Sequence, residues 1–292
     1  MKSTPPREAR HMVAGIDIGS MTAKCIMLKD YEIISSVVIP TDADPGQSGK
    51  AVFKLALDAA GCEVRHMDRI VGTGYGRVSL DIFHATVTEL TCHAKGARFM
   101  NSAIEGLIDI GGQDSKAIRL NPDGVIADFA MNDRCAAGTG RFLEAMATAL
   151  KIDLSVIGNT GLSATSPCPI NSTCVVFAES EVISLLAAGR TKADIAAGLL
   201  ESIAKRVGTM AKRVGLNRNM AFVGGGAKNA GLKKALENFL GSPFLSFPGD
   251  PQMTGALGAA LIAREQCEAV PAGLRLDKRT LTEKGGREAR WN

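Results

Sequence analysis

Hydrophobic and polar residues alternate along the first ordered stretch of the chain, on both sides of a Gly-Ser turn. This stretch runs from Met12 to Leu28 (MVAGIDIGSMTAKCIML), and Glu32–Pro40 (EIISSVVIP) continues the same two-residue period. Because the side chains of a β-strand point alternately to its two faces, the pattern predicts three consecutive strands. Residues 47–60 then have the spacing of a helix. The first half of the chain is therefore expected to begin with three strands and a helix.

The same order of elements recurs in the second half. Residues 107–120 (LIDIGGQDSKAIRL) alternate around a second turn, residues 125–131 (VIADFAM) continue after an Asn-Pro-Asp-Gly turn, and residues 141–150 are helical. Such a duplication predicts two lobes, each built on a mixed sheet, with the two Asp-Ile-Gly turns facing each other across a cleft. We place the first lobe at residues 12–105 and the second at residues 106–252.

The remaining pattern predicts one strand that runs into a glycine turn and four helices, at residues 220–226 and at residues 175–188, 191–214, 229–239 and 253–265. The last of these helices contains TGALGAAL, whose small residues would let it pack closely where the lobes join, near the first lobe. Residues 1–11 are expected to be a flexible N-terminus, and residues 266–292 a loose polar tail.

Composition and charge argue against several classes of protein. With 292 residues, of which 46% are hydrophobic and 22% charged, the chain can bury a substantial core. Its formal net charge of +4 is small and its basic residues are scattered, which argues against a nucleic-acid partner and against an anionic membrane. No stretch approaches the roughly 20 apolar residues of a membrane span, so we expect a cytoplasmic protein.

The two Asp-Ile-Gly turns are candidate phosphate-binding turns. Each joins two strands, and no Gly-Lys-Ser/Thr run follows, which excludes the P-loop class of NTPases. Backbone N–H groups and hydroxyls at a hairpin tip can surround phosphate oxygens, and glycine permits close approach. One such turn alone is equally well explained as a tight hairpin. Two matched turns, followed by Gly224, Gly225 and Gly226 after a strand, favour a site for a nucleotide polyphosphate.

Four side chains in these turns are candidates for the chemistry. Asp17 and Asp109 occupy equivalent places, where carboxylates can hold a hydrated Mg²⁺. Gln113 can orient the attacking water, and Lys24 can neutralise the charge that develops on the phosphoryl group. Together they predict a Mg²⁺-dependent transfer of a phosphoryl group to water.

Cys135 and Cys174 are the candidate metal ligands. Each precedes a predicted helix, whose dipole favours a thiolate. A [4Fe–4S] cluster needs four thiolates, so these two would serve it only at a two-fold interface that supplies two more. A zinc ion shared between chains fits the same ligand count, and core or incidental cysteines are the plainer explanation. Cys168 fits a third ligand, a redox neighbour or a structural loop, and Cys25 is expected in the core.

Six segments, in this order, resemble one family: the ATPases of benzoyl-CoA reductase and the activators of 2-hydroxyacyl-CoA dehydratases. The segments are IDIGSMTAKC, VGTGYGR, IDIGGQDSK, MNDRCAAGTGRFLE, STCVVFAESEVISLL and TGALGAAL. The resemblance covers about Val13 to Ala263, and its two cysteine segments are highly specific. It implies an α/β fold of the actin/hexokinase/Hsp70 type, within the acetate and sugar kinase superfamily, with duplicated βββαβα lobes around an ATP cleft.

The resemblance also implies cofactors and a site. One [4Fe–4S] cluster would bridge two subunits through Cys135 and Cys174, and ATP hydrolysis would drive an electron from ferredoxin or flavodoxin to a partner enzyme at low potential. Relatives often carry Gln in place of Lys228, which leaves the role of this lysine open. The residues that bind ATP would be Gly19, Ser20, Met21, Thr22, Ala23, Lys24, Gly111, Gly112, Gln113, Gly224, Gly225, Gly226, Lys228 and Gln252.

Within the family, SPCPINSTC and FPGDPQMTGALG look more like the ATPase subunits of benzoyl-CoA reductase. We therefore expect the small ATPase subunit of an ATP-dependent, ferredoxin-linked benzoyl-CoA reductase, paired with a homologous larger ATPase chain and with two catalytic subunits. One alternative is a homodimeric activator of a 2-hydroxyacyl-CoA dehydratase. The others are a small-molecule kinase of the same fold and a nucleotide-controlled binding protein without redox chemistry.

Overall fold

Two mixed β-sheets organise the chain in the computed structural model, which describes residues 11–132, 135–171 and 174–268. Most of the predicted N-terminal segment and most of the predicted polar tail lie outside the described residues. No described helix combines the length and the hydrophobicity that a membrane span requires.

The first sheet has the strand order β3-β2-β1-β4-β5. Strand β1 is antiparallel to β2 and parallel to β4, and β2 is antiparallel to β3. The three predicted strands and the predicted helix of this half are all present, and the bounds of β3 agree with the predicted ones. The elements are β1 (Met12–Ile18), β2 (Thr22–Lys29), β3 (Glu32–Pro40), α1 (Pro45–Ala60), β4 (Arg69–Thr73), β5 (Ala85–Thr86) and α2 (Glu89–Met100).

The second sheet has the order β8-β7-β6-β9 and repeats the pairing of the first four strands. Strand β6 is antiparallel to β7 and parallel to β9, and β7 is antiparallel to β8. This repeated arrangement is the predicted actin/hexokinase-like fold. The elements are β6 (Gly106–Ile110), β7 (Ser115–Leu120), β8 (Ile126–Asn132), α3 (Gly140–Leu150), α4 (Ile157–Leu162), α5 (Val175–Ala187), α6 (Lys192–Arg213), β9 (Met220–Val223), α7 (Ala230–Leu240) and α8 (Thr254–Glu268).

Helices α2 and α8 cross each other between the sheets, and α8 also packs on β1 and β4. Glycine makes the close crossing possible. A Cβ on Gly258 would collide with the carbonyl oxygen of Cys92, and one on Gly96 would collide with that of Thr254. The prediction that the small residues of the last helix allow close packing is thereby confirmed. Sequence reasoning missed α2, which carries two side chains into the site.

Candidate functional site

A cavity of about 350 Å³ lies between the two sheets, at the tips of the β1–β2 and β6–β7 hairpins. The hairpin tips touch, because a Cβ on Gly112 would collide with the side chain of Met21. The predicted residues that line the cavity are Asp17, Gly19, Ser20, Met21, Thr22, Lys24, Asp109, Gly111, Gly112, Gln113, Gly224, Gly225, Gly226, Lys228 and Gln252.

Ala23 is the exception among the predicted nucleotide ligands, because it does not line the cavity. Its side chain is fully buried in the core of the first sheet. The reason is the strand period: Thr22 and Lys24 point to one face of β2, so Ala23 points to the other. The prediction that Ala23 belongs to the ATP site therefore stays a prediction, which its buried side chain does not support.

Each hairpin holds one buried Asp–Lys ion pair at the floor of the cavity. Lys24 Nζ lies 3.2 Å from Asp17 Oδ2, and Lys116 Nζ lies 3.1 Å from Asp109 Oδ2. In both hairpins the aspartate and the lysine face each other across antiparallel strands. The structure thus places Asp17 and Asp109 at equivalent positions and fixes a cation beside each.

Lys116 is the centre of a larger charge cluster that sequence reasoning missed. Its ammonium also lies 2.7 Å from Asp114 Oδ1 and 3.6 Å from Glu89 Oε1, and its side chain is only 1% exposed. Burial lowers the pKa of Lys116, but the three carboxylates, led by Asp109, raise it above its usual value. Burial alone would raise the pKa of Asp109, yet Lys116 and His93 bring it down to about 2. Both groups are therefore charged at neutral pH.

Helix α2 supplies Glu89 and His93 to the cavity from the region between the sheets. His93 Nδ1 lies 2.8 Å from Thr254 Oγ1, at the start of α8, and its Nε2 lies 3.7 Å from Asp109 Oδ2. Burial raises the pKa of Glu89, and Lys116 opposes that shift. Thr88 accepts a hydrogen bond from the N–H of Thr91 as N-cap, and this threonine was the sequence signal that could have revealed α2.

The charges around the cavity suit a nucleotide with a divalent cation. Four carboxylates, those of Asp17, Glu89, Asp109 and Asp114, make ion pairs with only two ammonium groups, those of Lys24 and Lys116. No described group of three or more His, Cys, Asp or Glu residues converges on one metal position. Mg²⁺ fits such a site because it usually keeps several waters and binds through one or two carboxylates and substrate phosphates.

A glycine turn after β9 forms another wall of the cavity. Gly224 has a φ of 79°, and a Cβ there would collide with Asp109 Oδ1, so only glycine fits the turn. Lys228, whose role the sequence left open, makes a 2.6 Å ion pair with Asp250 and is half exposed. The cavity is also lined by four residues that are not among the predicted site residues: Leu143, Leu154, Ser155 and Asn229.

Cys174 and Cys135 differ in their exposure. Cys174 is the exposed N-cap residue of α5, as predicted. Cys135 is half-buried and lies in a turn before α3 rather than at the helix end. Next to Cys174, Val176 and Phe177 are 66% and 67% exposed. An exposed thiol beside large exposed apolar side chains fits a surface that a second chain covers, so the residues present fit half of a four-thiolate cluster site.

The β6–β7 hairpin is bonded directly to helix α3, which follows the turn at residues 135–139 (the Cys135 turn). The N–H groups of Gly140 and Arg141 donate to the carbonyl oxygens of Gly111 and Gly112, each at 2.9 Å. Helix α3 in turn packs against α5, which begins after Cys174. A shift of this hairpin would therefore act on the segments that carry both candidate ligands.

The other cysteines considered lie in the interior. Cys25 is fully buried, as predicted, and burial raises the pKa of its thiol. Burial also raises the pKa of Cys92, to about 12. Cys168 is buried, and its sulfur accepts a 3.1 Å hydrogen bond from Arg190 Nε. This environment favours the structural interpretation of Cys168 over that of a third exposed ligand.

Comparison with known proteins identifies a family and several relatives of the chain. Residues 14–263 match the BadF/BadG/BcrA/BcrD ATPase family. The chain is 43% identical over 255 residues to the activator of lactoyl-CoA dehydratase from Anaerotignum propionicum, covering 87% of this chain and 98% of that protein. It is 30% identical over 260 residues to a benzoyl-CoA reductase subunit from Thauera aromatica, covering 86% of this chain and 92% of that protein.

A solved structure agrees with these matches. The activator of the 2-hydroxyisocaproyl-CoA dehydratase from Clostridium difficile, solved with bound ADPNP, superimposes with a TM-score of 0.84 at 39% identity. The match covers 88% of this chain and 96% of the activator. By sequence and by structure, the chain belongs to the BadF/BadG/BcrA/BcrD ATPase family.

Proposed function

We propose that this chain is the ATP-hydrolysing activator of a 2-hydroxyacyl-CoA dehydratase, and that two copies of it hold one [4Fe–4S] cluster between them. The observation that carries the proposal is the direct bonding of Gly111 and Gly112 to the start of α3, behind the Cys135 turn. Through these hydrogen bonds, the hairpin that lines the proposed nucleotide cavity contacts the helix that directly follows a candidate cluster ligand. A kinase of the same fold has no need for such a connection.

The choice of a dehydratase over a reductase departs from the expectation drawn from SPCPINSTC and FPGDPQMTGALG. Identity to the lactoyl-CoA dehydratase activator is 43%, and identity to the benzoyl-CoA reductase chain of Thauera aromatica is 30%. These two short segments cover only a small part of the chain, so the similarity of the whole chain has more weight. The first alternative of the sequence analysis therefore replaces its main interpretation, and the reductase ATPase becomes the second candidate.

For ATP hydrolysis, we assign the phosphates to the two hairpin tips and the adenosine to the glycine turn after β9. The relative with bound ADPNP supports the binding of an adenine nucleotide by this chain. Lys24 and Lys116 would offset the charge that develops on the transferred phosphoryl group, Asp17 and Asp109 would hold Mg²⁺ through water, and Gln113 would orient the attacking water. The preformed ion pairs keep both lysines in place before the nucleotide binds.

For electron transfer, Cys135 and Cys174 of each copy would supply the four thiolates. The cluster, when bound, supplies one-electron chemistry at low potential. The protein would take the electron from ferredoxin or flavodoxin in the cytoplasm and deliver it to the dehydratase. Coupling requires that ATP and its products favour different conformations of the pair of chains.

The test is anaerobic purification followed by iron and sulfide analysis and electron paramagnetic resonance with and without ATP. We expect about four irons per pair of chains, as one shared cluster requires, and a signal that changes with ATP. Cys135→Ala and Cys174→Ala should lose the iron, whereas Cys62→Ala, at a half-buried cysteine of the first half, should keep it. Iron-free wild-type protein that hydrolyses ATP would favour the kinase or the nucleotide-controlled binding protein.

The partner is identified by reconstitution. Mixed with a 2-hydroxyacyl-CoA dehydratase, a reductant and ATP, the chain alone should start dehydration. If it instead required a second, homologous ATPase chain and supported only the reduction of benzoyl-CoA, the reductase assignment would stand.

A further inference from the structure

Asn132, the last residue of β8, makes contacts that the assigned site does not explain. Its amide Nδ2 donates to the carbonyl oxygen of Cys135 at 3.0 Å and to that of Ala137 at 2.8 Å. Both N–H groups of one amide are thus spent on the backbone of the Cys135 turn. These bonds fix the peptide that follows the candidate ligand to the end of a strand.

The rest of the turn is held in the same way. Thr139 is fully buried, and its Oγ1 donates to the carbonyl oxygen of Ala136 at 2.6 Å. Three successive carbonyl oxygens, at residues 135, 136 and 137, therefore accept side-chain hydrogen bonds. These bonds hold the backbone of the turn at three successive peptide groups.

Asn132 also links the turn to the β6–β7 hairpin. It pairs with Ser115, the first residue of β7 after the hairpin tip. The Ser115 hydroxyl is buried and has no hydrogen-bond partner among the described residues. Cross-strand partners share a face of the sheet, so the amide and the hydroxyl lie on the same side. The Cys135 turn is thus attached to the hairpin at two points. One is the pairing of Asn132, in β8, with Ser115 of β7, and the other is the first turn of α3.

We propose that Asn132 is a positioning residue that holds the Cys135 thiol in place for the shared cluster. The inference rests on the proposed function, since it assigns a role toward a cluster that Cys135 would bind. The contacts involved lie within one chain. Without the Asn132 amide, the backbone of the turn loses two hydrogen bonds and the Cys135 thiol loses its fixed position.

The test uses Asn132→Asp, which keeps the shape of the side chain but removes both donors, and Asn132→Ala. The matched control is Asn101→Asp, because the Asn101 amide also donates to a backbone carbonyl oxygen, that of Ser246, at 3.1 Å. Asn101 and Ser246 are both remote in sequence from Cys135 and Cys174. In metal-free full-length protein, alkylation of each cysteine is timed by mass spectrometry. In reconstituted protein, iron release to a chelator is followed with the electron paramagnetic resonance spectrum.

We expect Cys135 to be alkylated about tenfold faster in both Asn132 variants, because the turn loses two hydrogen bonds of modest net strength, with the rate at Cys174 unchanged. Iron release should quicken and the spectrum should broaden, whereas Asn101→Asp should match wild type. Melting curves confirm that each variant is folded. Wild-type rates of alkylation and iron release in both folded variants would overturn the inference. An iron-free wild type would instead refute the cluster, while the alkylation rates would still test the role of Asn132.

Discussion

The two hairpins of the cleft have the same geometry but differ in the number of ion pairs that their lysines make. Each has an aspartate paired across the hairpin with a lysine seven residues later. Among the described residues, however, Lys24, which is 11% exposed, makes an ion pair with Asp17 alone, whereas Lys116, which is 1% exposed, makes ion pairs with three carboxylates. The two halves therefore share the same backbone geometry, but the second half holds the larger cluster of charged side chains.

The halves differ again in what is bonded to the hairpin. The carbonyl oxygen of Gly19 accepts a 2.8 Å hydrogen bond from the side chain of Thr41, in the loop before α1. The equivalent carbonyl of Gly111 accepts its bond from the backbone of Gly140, inside the first turn of α3. The N–H of Thr41 also donates to the carbonyl oxygen of Met21 at 2.9 Å, so both bonds attach the first hairpin to a loop. The second hairpin is attached to a helix turn, which moves as a unit. The second hairpin is thus the one that can transmit motion to the Cys135 turn.

The largest expected effect comes from removing each lysine in turn. Lys116→Met should reduce the free energy of unfolding by about 3–5 kcal/mol, because it leaves buried carboxylates without their cation. Lys24→Met should cost roughly half as much, since it uncovers only Asp17. Urea unfolding followed by circular dichroism measures both values. Equal losses would show that the two hairpins are electrostatically equivalent and would break the comparison.

A second test uses the glycines that cover the two aspartates. Gly74 (φ 85°) and Gly224 (φ 79°) are equivalent, and a Cβ at either would collide with the neighbouring aspartate Oδ1. Gly74→Ala and Gly224→Ala should each cost about 2–3 kcal/mol through backbone strain and overpacking. Only Gly224 lines the cavity, so only its variant should also bind ADPNP more weakly in calorimetry.

The control for the glycine pair is Gly189→Ala. Gly189 has the same φ of 79° as Gly224, but a Cβ there would meet nothing within 4 Å. Its variant should show the strain alone, at about 1 kcal/mol. If Gly74→Ala and Gly224→Ala cost no more than this control, the collision with the aspartates has no energetic weight.

Local patterns predicted much of this fold but not the helix between the sheets. The strand pattern located β1 to β3 and β6 to β8, although β1, β2 and β6 are buried on both faces and only β3 approaches an alternation of exposed and buried residues. Helix α2 was missed because its buried positions are small or polar, among them Cys92, His93 and Gly96, so no stripe of large apolar residues marks it. It is buried by its crossing with α8, a contact between distant parts of the chain that periodicity does not report.

The residues of the site show the same difference between local sequence patterns and contacts that depend on packing. Asp17 and Asp109 were found because each belongs to a short, recognisable turn. Glu89 and His93 reach the cavity only through the packing of α2, so no local pattern identified them. Lys116 is different: it was also missed, but its spacing from Asp109 equals that of Lys24 from Asp17, so the recognised repeat could have predicted it.

The last test uses the pH dependence of the second ion pair. Asp109 has a pKa of about 2 in the folded chain, against an ordinary value of 3.8. Because the folded pKa is the lower one, the unfolded chain binds more protons between these values, and stability falls as pH drops from about 4 toward 2. The loss should be about 2 kcal/mol for this carboxylate. In Lys116→Met this fall should shrink, since Lys116 is the main cause of the lowered pKa. In Asp109→Asn it should disappear. Urea unfolding at a series of acid pH values measures the three slopes, and a wild-type slope in Asp109→Asn would place the acid sensitivity elsewhere in the chain.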